Sequence, residues 1–209
     1  MSERHTGVSA IVLAAGGGSR FGGGKLLARL GGQSLVEAVL DNLREAPVDE
    51  VIVVVGAEAK KLREVCERYG VGSVENEEWV RGQSTSVLAG LRACAGDAAV
   101  VLLGDQPLIG AGVVGRLVAA FAEGAKIAVA TYGGKRRNPV LFSQEVWPLL
   151  EAELAGDEGA RPVLRRYPEL VVEVPCDGVG DPADVDTRED LRRIDEMRGS
   201  VGDYKMAGG

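Results

Sequence analysis

The chain has 209 residues, of which 45% are hydrophobic and 26% charged, and its net charge is −7. That length and balance describe one ordinary globular domain that buries its core without staples, built mainly from Val, Leu, Ile and Ala because aromatic residues make up only 4%. The acidic surplus excludes nucleic-acid binding through a basic face, no apolar run approaches a membrane span, and the opening MSERHTGVS lacks the apolar core of a signal peptide.

The elements follow in chain order. Ser9–Ala14, SAIVLA, reads as a buried strand and is followed by a loop of six glycines, one arginine and one lysine, Gly16–Lys25. A helix is expected from Ser34 through SLVEAVLDNLREA, with Ser34 and Glu37 forming a capping-box signature. Glu50–Gly56 is a second buried strand, Glu58–Tyr69 a second helix, and Val71–Asn76 a weaker third strand. GQSTSVLAGLRAC starts a helix near Ser84. Ala98–Pro107 is the fourth strand, ending at Gly104-Asp105-Gln106-Pro107; a helix over Gly112–Glu123 and a fifth strand over Lys126–Tyr132 follow.

Beyond Tyr132 the rhythm changes. GGKRRNPVLF reads as an excursion, a hairpin or arm that returns with PVLF. SQEVWPLLEAEL and GARPVLRRY read as helices, ELVVEVP as a strand, and DVDTREDLRRIDEM as a strand end leading into a helix capped by Thr187. Apolar strands separated by helices imply a mostly parallel, doubly wound sheet in a three-layer α/β/α sandwich. With no internal repeat and no linker, residues 1–199 are expected to be a single domain and 200–209 a flexible tail.

Residue usage narrows the chemistry. Cys66, Cys94 and Cys176 are scattered with no C-x-x-C pair, which reads as reduced thiols of a cytoplasmic protein. The single histidine is His5, in the polar N-terminal stretch, so Ser-His-Asp and Cys-His mechanisms lack a base and His-rich metal sites cannot form. Catalysis must run on carboxylates, Lys, Arg, backbone N–H groups or a bound metal.

In an open α/β sheet ligands bind beyond the C-terminal strand ends, where the glycine loop falls, and glycines let backbone N–H groups approach an anion closely. Two familiar phosphate loops fail. G-x-x-x-x-G-K-[ST] would need glycine where Ser19 stands and Ser or Thr where Leu26 stands. G-x-G-x-x-G from Gly16 ends on Phe21, and no ribose-binding acid follows Val55.

The remaining pattern, L-A-A-G…R-F-G…K, resembles the nucleotidyltransferases of the GT-A-like, nucleotide-diphospho-sugar transferase-like class. More narrowly it is similar to the molybdenum cofactor cytidylyltransferases and their guanylyltransferase cousins. GQSTSVLAGL, LLGDQPLI, NPVLF, GDEGARPVL and DVDTREDL extend the resemblance over most of the chain.

It implies CMP transfer from CTP to the terminal phosphate of molybdopterin cofactor, with Mg²⁺ as cofactor and pyrophosphate released. Arg20 and Lys25 would hold the triphosphate, one as a fork and the other as a point charge. Asp105, before a Gln-Pro turn, would hold the metal with Asp186 as second ligand or Asp184 in its place. Leu13, Ala14, Ala15, Gly16, Gly17 and Gly18 would lie against the nucleotide. Gln83, Ser84 and Ser86 would bond base or ribose, Ser84 being equally suited to cap its helix.

Ala15 and Phe21 match the cytidylyl branch, whose guanylyl cousins tend to LAGG…RMG. Gly24 stands where relatives often carry an acid, and Asn138 where they commonly carry His before Pro139. Asn138, Pro139, Gly159 and Arg161 would meet the acceptor, while Lys135, Arg136 and Arg137 read either as its phosphate clamp or as a solvated turn. A molybdenum hydroxylase or its maturation factor is the implied partner. A guanylyl or other nucleotidyl transfer, a non-catalytic cofactor carrier, and an oxidoreductase are the alternatives in that order.

Overall fold

The computed structural model describes residues 7–206, with side chains to Met197, so His5 and residues 207–209 of the expected tail lie outside it. The chain runs β1 (Val8–Ala14), β2 (Arg29–Leu30), β3 (Gln33–Ser34), α1 (Leu35–Leu43), β4 (Glu50–Val55), α2 (Ala59–Tyr69), β5 (Gly72–Glu75) and α3 (Gln83–Ala93). It continues through β6 (Ala98–Leu103), α4 (Ala111–Ala122), β7 (Ile127–Tyr132), β8 (Lys135–Ser143), α5 (Trp147–Glu153), α6 (Arg161–Arg166), β9 (Val171–Pro175) and α7 (Arg188–Met206). Residues 200–206 of the expected tail therefore continue α7. No helix among the described residues is long and apolar enough to cross a membrane.

Seven strands form one sheet in the order β5-β4-β1-β6-β8-β7-β9. All are parallel except β8, which runs antiparallel between β6 and β7. The central strands β1, β4, β6 and β7 are apolar on both faces because both faces are covered. Ala10, Val12, Val53, Val55, Val100 and Leu102 point into a core closed by α1, α2, α4 and α7. Their neighbours Ile11, Val54, Ala99 and Val101 point the other way, onto Val87 and Leu91 of α3, Leu150 of α5 and Val163 of α6. The period-2 alternation of side chains builds two cores from one set of strands, which is the expected three-layer sandwich.

Of the two readings of the excursion after Tyr132, the hairpin holds: Gly133 and Gly134 turn the chain, Tyr132 pairs with Lys135, and the returning β8 pairs Leu141 and Phe142 with β6 and β7. Two local readings are corrected. The fourth strand stops at Leu103, four residues early, because Asp105–Pro107 leave the sheet. DVDT forms no strand; Val185 N–H instead donates to the Asp105 carbonyl at 3.0 Å. Thr187 does cap α7, its Oγ1 accepting from the Asp190 N–H at 3.2 Å.

The capping box on α1 is present, with Ser34 N–H donating to Glu37 Oε2 at 2.7 Å. This bond, ahead of all other causes, holds the Glu37 carboxyl below its ordinary value of 4.5. A carboxyl with a lowered folded pKa adds stability above its unfolded value, and that increment is lost as pH falls through the folded one. Ser34→Ala is expected to cost about 1 kcal/mol and lower Tm by about 2–4 °C at neutral pH. The variant keeps the backbone bond but loses the Ser34 hydroxyl, which also donates to Glu37 Oε2 at 2.7 Å and lowers its pKa. Thermal melts should therefore show the gap between wild type and Ser34→Ala narrowing once the pH drops below the ordinary Glu37 value.

Candidate functional site

β1 is the middle of three parallel strands, and Leu13, Val54 and Leu103 share a row near their C-terminal ends. The glycine loop leaves from that edge and folds into two short 3₁₀ turns, Ser19–Phe21 and Lys25–Leu27. Buried Phe21 and Leu26 anchor the turns, and the Arg188 guanidinium sits 5.1 Å from the centre of the Phe21 ring. Gly18 bends back with φ of 60°, and a β-carbon there would come within 2.9 Å of Lys25 Cβ. A side chain at this position would displace the stem of Lys25.

The two turns send Arg20 and Lys25 toward the acids of two distant segments. Lys25 Nζ donates to Asp105 Oδ2 at 2.6 Å and to Asp186 Oδ1 at 3.5 Å, while Arg20 Nη1 donates to Asp186 Oδ2 at 2.8 Å. The side chains of Lys25 and Asp105 are only 14% and 20% exposed, whereas Arg20 is 78% exposed. The Lys25 pair is thus shielded from solvent; the Arg20 pair is a surface contact worth little, which leaves Arg20 available to a ligand.

Of the two candidate acids after Pro182, Asp186 lines the cleft and Asp184 does not. Asp184 accepts from Gln106 Nε2 at 2.7 Å, and desolvation followed by the nearby charge of Asp105 pushes its carboxyl above the ordinary range.

These residues open onto a cleft of about 410 Å³. Leu13, Ala14, Ala15, Gly16, Gly18, Gln83 and Ser86 line it, as do Arg20, Lys25, Asp105, Asp186 and Arg161. Gly17 lies just outside, against the Trp79 ring. Ser86 Oγ is bonded by Asn76 Nδ2 at 2.9 Å, and Ser84 is buried off the cleft with its hydroxyl unpartnered. Ser84 does not cap α3; Gly82 does, and the Ser84 N–H donates to Gly156 O at 3.2 Å.

On the acceptor side, Asn138 and Pro139 lie on β8 beyond its Val101–Val140 pair, toward the same sheet edge but outside the cleft lining. Gly159 is packed on the Gln83 side chain. Of the basic triplet, Lys135 and Arg137 are exposed, while Arg136 Nε donates to Glu173 at 2.8 Å and Nη1 to Leu164 O at 3.1 Å.

Lining residues that the sequence reading gave no site role include Ser19, Leu26, Leu103, Trp79 and Asp157. Trp79 was signalled only by rarity, being one of two tryptophans in the chain. Asp157 lay inside the quoted GDEGARPVL; its Oδ1 accepts from the Gln83 N–H at 3.2 Å.

A divalent metal fits this acid pair. Asp105 Oδ1 is buried without a hydrogen-bond partner, a costly state that a cation would relieve. Among the described residues no group of three or more His, Cys, Asp or Glu side chains is arranged to hold an ion. The protein would supply two carboxylates and leave the remaining positions to water and phosphate oxygens, the usual arrangement for a hard cation carried with a nucleotide.

Opposed cations and acids at the strand ends of an α/β sheet, beside a cleft of nucleotide size, define an enzyme of the nucleotidyltransferase type. The chain belongs to the MobA-like NTP transferase domain family, whose pattern it matches over residues 10–171. It is 33% identical over 198 residues to a protein named nicotine blue oxidoreductase from Paenarthrobacter nicotinovorans, covering 90% of this chain and 96% of that one. It is 32% identical over 196 residues to a probable molybdenum cofactor guanylyltransferase of Thermococcus kodakarensis, covering 90% and 94%.

Among solved structures, the homologue of Mycobacterium tuberculosis Rv0371c from Mycobacterium sp. strain JC1 superposes with a TM-score of 0.82 at 33% identity, covering 93% and 98%. Rv0371c itself, in complex with manganese, superposes with a TM-score of 0.76 at 30% identity, covering 91% and 99%.

Proposed function

We propose that this nucleotidyltransferase joins CMP from CTP to the terminal phosphate of molybdopterin cofactor and releases pyrophosphate, with Mg²⁺ bound at Asp105 and Asp186. The observation that carries the reading is the convergence of Arg20, Lys25, Asp105 and Asp186 on one cleft whose inner wall is the Leu13–Gly16 backbone. Arg20 swings from its surface ion pair to fork onto phosphate oxygens, and Lys25 places a shielded positive charge beside them. At roughly 4 Å and an effective dielectric of about 20, one such contact is worth about 4 kcal/mol before desolvation.

The bound metal supplies charge stabilisation to the phosphates and the departing pyrophosphate. The acceptor, a phosphate monoester, is already anionic at neutral pH, so positioning by Arg161, Gly159, Asn138 and Pro139 replaces a general base, in keeping with a chain whose one histidine is His5. The product serves molybdenum hydroxylases, which makes such an enzyme or its maturation factor the expected partner, and the free cysteines suit a cytoplasmic setting.

Base choice rests on Ala15, a buried residue of the cleft lining whose methyl faces Gly56; the fuller wall it makes suits a pyrimidine better than a purine. Ala15→Gly is expected to reduce the ratio of kcat/KM for CTP over GTP by about tenfold, the effect of one misplaced methyl group.

Two relatives favour other readings: the name guanylyltransferase favours GTP, and the name oxidoreductase favours a redox reaction. One panel separates them. The protein is mixed with Mg²⁺, molybdopterin cofactor and CTP, GTP, ATP or UTP, and pyrophosphate is followed; NADH and NADPH oxidation is followed in parallel with a quinone dye supplied as the two-electron acceptor. Pyrophosphate with CTP alone is the expected result. Release with GTP overturns the base assignment, and nicotinamide oxidation without pyrophosphate overturns the class of reaction.

A further inference from the structure

The ammonium of Lys25 is the counter-ion of both acids assigned to the metal. It reaches Asp105 at 2.6 Å and Asp186 at 3.5 Å, and at 14% exposure it is largely withdrawn from solvent. A monovalent ammonium and a divalent ion that both need Asp105 and Asp186 exclude each other by charge and by space. Yet the ammonium satisfies the acids incompletely: Asp105 Oδ1 remains buried and unpartnered.

We infer that Lys25 closes the metal position until a polyphosphate draws its ammonium away, so that metal entry is coupled to nucleotide entry through this one side chain. The inference rests on the assignment of Asp105 and Asp186 as the metal-holding pair. Lys25 then acts as a positioning residue in two states. Paired with the acids, it cancels one of their two negative charges and makes the free site less attractive to a divalent ion. Paired with phosphate, it uncovers two carboxylates just as the phosphate oxygens that complete the coordination arrive. A ligand shifts an equilibrium only by its differential affinity for the two states, and here the differential contact is explicit: phosphate replaces carboxylate on the ammonium.

The supporting geometry is specific to Lys25. Its turn is anchored by buried Leu26, and a β-carbon on Gly18 would displace its stem, so the side chain is aimed rather than adrift. Arg20 touches only Asp186 and is mostly exposed, so it cannot provide the same closure.

The test is Mn²⁺ binding to nucleotide-free protein, read from the loss of the free-ion electron paramagnetic resonance signal. Wild type, Lys25→Met, Lys25→Gln, Lys25→Arg, Asp105→Asn and the double variant Lys25→Met/Asp105→Asn are compared, each with a thermal melt as a check on folding. Lys25→Met and Lys25→Gln are expected to bind Mn²⁺ at least tenfold more tightly than wild type, a gain of about 1.4 kcal/mol. Lys25→Arg, which keeps the charge, should stay near wild type, and the double variant should lose the gain.

A gain in affinity is an outcome that a merely structural lysine would not produce. Equal binding in wild type and both neutral variants overturns the closure while leaving the acid pair assigned, provided Asp105→Asn alone weakens binding. A gain that survives Asp105→Asn places the ion elsewhere and overturns the closure together with the metal assignment.

Discussion

Asp105→Asn is expected to lower kcat by about 10³-fold or more while the protein remains folded. The side chain is removed as an anion but kept as a shape. Its carboxylate is one of only two assigned to the metal, and loss of comparable electrostatic stabilisation in other sites costs about 10²–10³ in rate before the metal itself is weakened. Stability is spared for three reasons. The Asp105 backbone carbonyl still accepts from Val185 N–H, Lys25 keeps Asp186 at 3.5 Å, and one of three crowded acids is neutralised. Steady-state kinetics alongside a melt checks this: a variant that retains a tenth of wild-type kcat contradicts the metal assignment, and one that is unfolded does not test it, in which case Asp105→Glu takes its place.

Gly82→Ala is expected to cost about 3 kcal/mol and lower Tm by about 6–12 °C, with KM for nucleotide rising as well. Gly82 has φ of 114°, a conformation that L side chains rarely adopt. A β-carbon there would also lie 2.4 Å from Gly156 O and 2.8 Å from Asp157 N, both backbone atoms that cannot rotate away. Relief requires the 156–159 loop to retreat. Retreat breaks the Ser84 N–H bond to Gly156 O and the Gln83 N–H bond to Asp157, and so removes a wall of the cleft. Melts and nucleotide titrations of Gly82→Ala measure both effects; a Tm within two or three degrees of wild type, on the order of 1 kcal/mol, would show that the loop is not held this way.

The central strands were legible because burial on two faces leaves uninterrupted runs such as VIVVV and AVVLL, and α1 and α7 because Ser34 and Thr187 cap them locally. β8 was not, for a physical reason: its first half, KRRN, is open to solvent and its second half buried, so neither an alternating nor a continuous pattern spans it. Its pairing with β7 has a local signature in the Gly133-Gly134 turn, whereas its pairing with β6 is a tertiary fact with none. The Arg29–Ser34 pair is two residues per strand, too short for any periodicity.

The site divides in the same way. Arg20, Lys25 and Asp105 were recognisable from their positions after strands, and the structure brings all three together with Asp186. Ser84 misled because serine before an apolar helix is a good cap by composition, whereas here a distant loop supplies the cap through Gly156 and Asp157. Trp79 went unread because an aromatic in a turn has no period, and its importance emerges only when Gly17 and Gly56 pack against its ring.

The most direct measurement follows the α-phosphate. CTP labelled there is incubated with the protein, Mg²⁺ and molybdopterin cofactor, and the products are separated by size and charge. Label appearing in a cofactor-sized product in equal amount to the pyrophosphate released is the predicted result. Label that stays in CTP, or leaves only as free CMP, would contradict nucleotidyl transfer to this acceptor.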